Sequence, residues 1–203
     1  MKRTRGMTLV ELMVTLTILA MLLAAAIPSI GSWIRSTQIR NTAESILTGI
    51  QRARTEALKR NRSTQFSLVS VSDPSRIDNS CALSSTSGSW VVSLANPTGK
   101  CGAGVSDTVD PFIVDSHPVA DGGRNVSITA LKADGTAANT ITFDAFGRVT
   151  SASPIVRIDI TMASGGADIR PLSVEISSSG SVRTCDPQVS STSDPRHCQI
   201  PRS

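Results

Sequence analysis

The sequence predicts an α+β protein in which one long amino-terminal helix packs on an antiparallel β-sheet head. Three observations predict it. Residues Leu12 to Ile34 form a run of 23 without charge, long enough for a helix to cross the hydrocarbon of a bilayer. Ile39, Ala43, Ile46, Ile50, Ala53 and Ala57 then recur at steps of four and three, with Leu47 and Leu58 widening the stripe, the spacing of one helical face. From Ser63 the period shortens to two, in stretches separated by Gly, Pro, Asn and Asp, which is the pattern of strands and turns.

Taken in order, residues 1–6 are a short leader carrying Lys2, Arg3 and Arg5 and ending at Gly6. Residues 7–34 read as a transmembrane and assembly helix. Its core is longer than that of a secretory signal, so the segment is expected to persist in the mature protein. Glu11 stands at its head as a lone acid. A carboxylate at the edge of a membrane costs kcal/mol unless a counter-charge answers it, so Glu11 is expected to have a functional partner. Pro28, with Gly31 nearby, removes a backbone hydrogen bond and predicts a kink in this half. Residues 35–61 continue as an amphipathic helix ending near Asn61, with Arg40, Glu44, Arg52, Arg54, Glu56 and Lys59 off the apolar stripe. The stripe is expected to pack mainly on the head, with another face left for neighbouring helices.

Residues 62–203 form the head. Phe66–Val71, Ser89–Leu94, Asn125–Leu131, Asn139–Phe143, Ile155–Met162, Pro171–Ser177 and Ser181–Cys185 read as strands. Val156, Ile158, Ile160 and Met162 alternate with Arg157, Asp159 and Thr161, and Leu172, Val174 and Ile176 with Ser173 and Glu175. That alternation predicts a sheet with one wet face. Residues 73–89 and 96–111, and the tail from Asp186, are Ser, Gly and Pro-rich insertions without periodicity.

The charges divide the molecule. The chain holds 20 Lys and Arg against 16 Asp and Glu; without the three leader cations the balance is 17 to 16. Seven of the remaining cations lie between Arg35 and Arg62 beside two acids, whereas the head from Ser63 has ten cations and thirteen acids. Cations ahead of the apolar run place the amino terminus in the cytoplasm and the head outside it. Four cysteines in a translocated head are expected to form disulfides. Three pairings are open. Cys81 with Cys101 and Cys185 with Cys198 are favoured, since each pair closes a Gly, Ser and Pro-rich loop and contributes about 3 kcal/mol. The rival is a zinc site on His197 and Cys198 with another Cys, for which the usual Cys-x-x-Cys spacing is lacking; no metal and no cofactor are expected.

Gly6 followed by Met7, Thr8, Leu9, Val10, Glu11 and Leu12 resembles the class III leader of type IV pilins and type II secretion pseudopilins, usually Gly followed by Phe-Thr-Leu-Ile-Glu-Leu. The resemblance implies cleavage between Gly6 and Met7 by a prepilin peptidase and methylation of the new amino terminus on Met7. It also implies a partner for Glu11, the free amine of a neighbouring subunit. Met7 stands in place of the usual Phe. Further on, Ala53-Arg54-Thr55-Glu56-Ala57, Ser89-Trp90-Val91-Val92 and Ile141-Thr142-Phe143-Asp144 with Phe146-Gly147-Arg148-Val149 resemble runs of the GspH/FimT (FimU-type) group. That resemblance covers most of the chain and implies a pilin-like fold. It implies an inner-membrane, single-pass protein with a periplasmic head that later enters a pilus or pseudopilus, and as partners the major pilin and other minor pilins, or pseudopilins.

Three function classes follow from these residues. The first is a subunit of a helical assembly, whose heterologous contact repeats without closing; the absence of Tyr and the long, uneven loops suit a low-copy role. In the group it resembles, such minor pilins prime pilus assembly at the tip, while H-type pseudopilins serve type II secretion. The second is DNA capture, through the Gly-Arg-x-Arg motif of some FimT proteins. Here that place reads Gly180, Ser181, Val182, Arg183, with one arginine missing, and Arg183, Arg196 and Arg202 are the cations the tail could gather. An acid-rich head disfavours a polyanion, and no stacking aromatic follows Gly180. The third class, an enzyme, finds no catalytic residues: His117 and His197 lie in no nucleophile–base spacing, and Gly99-Lys100 lacks the rest of a phosphate loop.

Overall fold

The computed structural model describes residues 7–121, 123, 125–164 and 169–200, with residues 24–30 as helical backbone alone. One helix, α1 (Leu9–Arg60), runs for 52 residues, about 78 Å at the standard rise. It starts where Thr8, in extended conformation, accepts the backbone N–H of Glu11, and it ends where Asn61 turns left-handed at φ 49°. Asn61 donates its N–H to the carbonyls of Ala57 and Leu58, and Lys59 and Arg60 lie beside the negative end of the helix dipole. The membrane half and the amphipathic half of the one long helix expected from sequence are a single element. The kink expected at Pro28 falls among residues 24–30, outside the described side chains.

Among the described residues nine strands follow: β1 (Thr64–Ser70), β2 (Ala82–Leu83), β3 (Ser89–Ser93), β4 (Ile113–His117), β5 (Val126–Leu131), β6 (Thr140–Phe143), β7 (Arg157–Met162), β8 (Leu172–Ile176) and β9 (Val182–Cys185). They form two antiparallel sheets. In the first, β3 lies between β1 and β4, and the other edge of β1 is shared by β6 beside residues 64–67 and β2 beside residues 69–70. The second runs β5-β7-β8-β9. Two strands escaped the sequence reading. β2 is two residues inside the insertion 73–89. β4 buries Ile113 and Val114 and then turns to Asp115, Ser116 and His117, all half-buried, so no alternation marks it.

The apolar stripe of α1 sits against both sheets. Ile39, Ile46, Ile50, Ala53 and Ala57 are fully buried, in one core with Phe66, Leu68 and Val92 of the first sheet and Ile158, Ile160 and Val174 of the second. Contact is close at Gly49: a Cβ there would lie 2.8 Å from Phe66 and 2.9 Å from Trp90. Trp90 fits because its indole N–H donates to Ser45 Oγ at 3.0 Å, which satisfies the one polar atom of a buried ring. On the outer face of the first sheet, Val69, Val91 and Ile113 form a smaller core around the Cys81–Cys101 disulfide.

The wet face expected on β7 and β8 is a correction. Arg157 is 2% exposed, Ser173 0% and Glu175 4%. The tail, held by the Cys185–Cys198 disulfide, folds back over these residues. Strand register explains how polar side chains survive there: Arg157 stands opposite Glu175 and Glu175 opposite Arg183, while Asp159 stands opposite Ser173 and Ser173 opposite Cys185. Opposite charges alternate across the strands, so burial leaves few orphan groups. Alternation in sequence identified the face correctly but not what covers it.

Candidate assembly site

Beyond the head, α1 is bare. The large apolar side chains from Met7 to Leu23 are 50% to 75% exposed, whereas the stripe beginning at Ile39 is buried. A continuous apolar surface of this extent is found where a lipid or protein partner covers it. Among the described residues, no helix is long and apolar enough to cross a membrane; residues 24–30, which carry the uncharged run on to Ile34, lie outside the described side chains.

At the tip the chain makes a capping box. Thr8 donates its backbone N–H (3.0 Å) and its hydroxyl (3.2 Å) to Glu11 Oε2, and Glu11 returns its N–H to Thr8 Oγ1 at 3.2 Å. This orients the carboxylate at the positive end of the helix, where the dipole favours an anion. Both donors go to one oxygen. Oε1 takes no hydrogen bond among the described residues. Met7 is exposed beside it, and Gly6 lies outside the described residues. Thr8 as the residue that holds Glu11 was not singled out from sequence, although its spacing, a Thr three residues ahead of a Glu at the start of an apolar run, carries that signal.

The run Ala53-Arg54-Thr55-Glu56-Ala57 is the clasp between helix and head. Its alanines are buried, and Arg54 reaches out, donating Nε–H to the Gly147 carbonyl at 3.1 Å. There two turns meet: a Cβ on Gly180, which has φ +80°, would lie 2.1 Å from the Gly147 oxygen. Glu56 is 2% exposed and pairs with Arg60 at 2.7 Å, with Lys59 and Arg52 farther off, while Arg60 also bridges to Asp107. The Arg60 hydrogen bond holds the Glu56 carboxyl below its usual range, against the opposing effect of burial.

The carboxyl-terminal cations are partnered. Arg183 donates to Glu175 Oε2 through Nη2 (2.6 Å) and Nε (2.9 Å) and to the His197 carbonyl at 2.9 Å. Arg196 pairs with Asp194 at 2.7 Å, which holds that acid down at about 2. Arg202 lies outside the described residues. Arg183 and Arg196 thus each rest against an acid, and Arg183 pins the tail. Glu175 approaches Cys185 and Cys198, but their sulfurs are bonded to each other, so neither is a thiolate ligand for zinc with His197. His117 stacks on Trp90 with ring centroids 5.7 Å apart. The buried ladder of Arg157, Asp159 and Glu175 was missed by sequence reasoning; the signal lay in its opposite charges, which only register brings together.

Residues 42–180 match the family described as type II transport protein GspH, and residues 1–27 match the prokaryotic N-terminal methylation motif. Bare helix, capped acid, β head and methylation motif define the class: a pilin-like subunit, a membrane-anchored component of a pilus-type assembly. The chain belongs to the GspH family within the type IV pilin superfamily. It is similar to two crystal structures of the type IV minor pilin FimU of Pseudomonas aeruginosa (strain PAO1). One is 18% identical, covering 74% of this chain and 92% of that one with a TM-score of 0.46; the other is 16% identical, covering 73% and 97% with a TM-score of 0.45. No curated protein matches the chain.

Proposed function

We propose that this chain is a minor pilin of a type IV pilus, anchored in the inner membrane by residues 7–34 until it joins the filament. In this reading a prepilin peptidase cuts after Gly6, and the Met7 amine so created is methylated. The subunit then helps to start the pilus in a tip complex with other minor pilins and the major pilin. The observation that carries the reading is the helix tip, where Thr8 occupies one oxygen of Glu11 and leaves the other for an ammonium group amid exposed apolar side chains. The half-satisfied carboxylate suits a subunit that waits in the membrane. A neighbour's amine then completes the pair, and the surrounding apolar helices strengthen it by excluding water.

Glu11→Ala tests this. The variant is expected to be processed and inserted normally but to fall roughly tenfold in sheared pili, since a charge left unanswered in an apolar setting costs a few kcal/mol. Normal abundance in the sheared fraction would overturn the role given to Glu11. The description of the matched family favours a second reading, an H-type pseudopilin of a type II secretion system. Deleting the gene separates the two: loss of surface pili supports the first, loss of protein secretion with pili intact the second. The pairing of Arg183 and Arg196 with acids supports neither residue as a DNA contact.

A further inference from the structure

Where α1 leaves the head, two adjoining clefts share Ser36, Arg40 and Arg170. One, of about 240 Å³, extends to Asp186 and Arg196; the other, of about 300 Å³, extends along the helix to Trp33. Arg196 is already balanced by Asp194 at 2.7 Å. Arg40 and Arg170 are different. Both are exposed, and neither makes an ion pair among the described residues. They come from α1 and from the segment before β8, far apart in sequence, and the fold brings them to one place.

Trp33, 69% exposed, is the last residue but one of the uncharged run, and Trp at the end of such a run favours the membrane–water boundary. Trp33, Ser36, Thr37 and Arg40 share one helical face. The rise from Trp33 to Arg40 is about 10 Å, little more than the ~5–8 Å headgroup layer of one leaflet. A chain with Trp33 at the hydrocarbon boundary therefore opens this cleft at the level of lipid phosphates. Guanidinium groups match phosphate oxygens in a fork, and Ser36 adds a hydroxyl.

We propose that the Arg40–Arg170 cleft holds the phosphodiester headgroup of an anionic lipid in the leaflet facing the head. The site rests on the reading of residues 7–34 as a membrane span. It fixes the depth at which the head rides on the bilayer, and so the height of Glu11 at the opposite side.

Trp33 supplies the readout. The full-length oxidised chain is reconstituted in mixed phosphatidylcholine and phosphatidylglycerol vesicles in which one lipid or the other carries bromine near the glycerol end of its acyl chains. Trp90, buried in the head, gives a constant background. At equal mole fraction, brominated phosphatidylglycerol is expected to quench about threefold more than brominated phosphatidylcholine, given the attraction of each cation for an anionic surface. In Arg40→Gln/Arg170→Gln that preference is expected to vanish while total quenching stays the same. Equal quenching by the two lipids, or a preference that survives the double substitution, would overturn the site. A preference abolished by inorganic phosphate at unchanged ionic strength would assign the cleft to a free anion and overturn the lipid. Absence of quenching by either lipid would instead contradict the membrane span, and the lipid site with it.

Discussion

Glu175→Ala puts the buried ladder to a quantitative test. Glu175 is 4% exposed and accepts four hydrogen bonds: from Arg183 Nη2 and Nε, from the Gln199 N–H at 3.1 Å and from the Ile200 N–H at 2.7 Å. Truncation leaves all four donors without their acceptor. Arg183 is 35% exposed, so water recovers part of its loss and that portion is worth about 1 kcal/mol. The two amides belong to the tail; unsatisfied they cost about 1–3 kcal/mol each, less if the tail lifts and lets water in. Unrelieved, these add to about 3–7 kcal/mol; with water reaching the lifted tail the loss is about 2–4 kcal/mol, which for a head of this size lowers Tm by roughly 6–15 °C. Circular dichroism melts of the full-length oxidised protein in detergent measure it. Hydrogen exchange adds the location, with faster exchange at Gln199 and Ile200 and no change around the Cys81–Cys101 loop. A Tm within about 2 °C of the parent, at unchanged tail protection, would refute the idea that this ladder holds the tail.

Gly180→Ala is expected to lower Tm more than substitutions in the neighbouring turn, because its Cβ meets the Gly147 carbonyl at 2.1 Å and its left-handed φ adds about 1 kcal/mol of strain; an unchanged melt would refute the close approach of the two turns. Glu56 makes a pH prediction. Its folded pKa lies below the unfolded value of 4.5, so its stabilisation is present in full above about that pH and is lost as pH falls through the folded value. Glu56→Gln should therefore flatten the fall of stability below about pH 4.5, while a parallel acid limb in urea titrations would contradict the assignment.

The helix was the most legible part of the molecule, because both its signals are local. The uncharged run announces itself by its length and the stripe from Ile39 to Ala57 by its helical period; the six residues of that stripe are in the core, whereas Leu58, expected to widen it, is 49% exposed. β7 and β8 were legible for the same reason at period two. β2 and β4 were not, since their place in the sheet comes from pairing with β1 and β3 rather than from any pattern of their own. The burial of Arg157 and Glu175 was hidden because a tail without periodicity, closed by a disulfide, supplies their cover. At the helix tip Glu11 was conspicuous as a lone acid beside an apolar run, while the way Thr8 holds one of its oxygens appears only in three dimensions. The clasp of Arg54 on Gly147 spans 93 positions, and no local pattern could announce it.

In the proposed function, cleavage after Gly6 makes the Met7 amine with which a neighbour answers Glu11. Intact mass measurement of the protein purified from its own membranes tests it most directly. The expected product begins at Met7 with one added methyl group; a product that begins at Met1, with residues 1–6 still attached, would rule out the proposed processing.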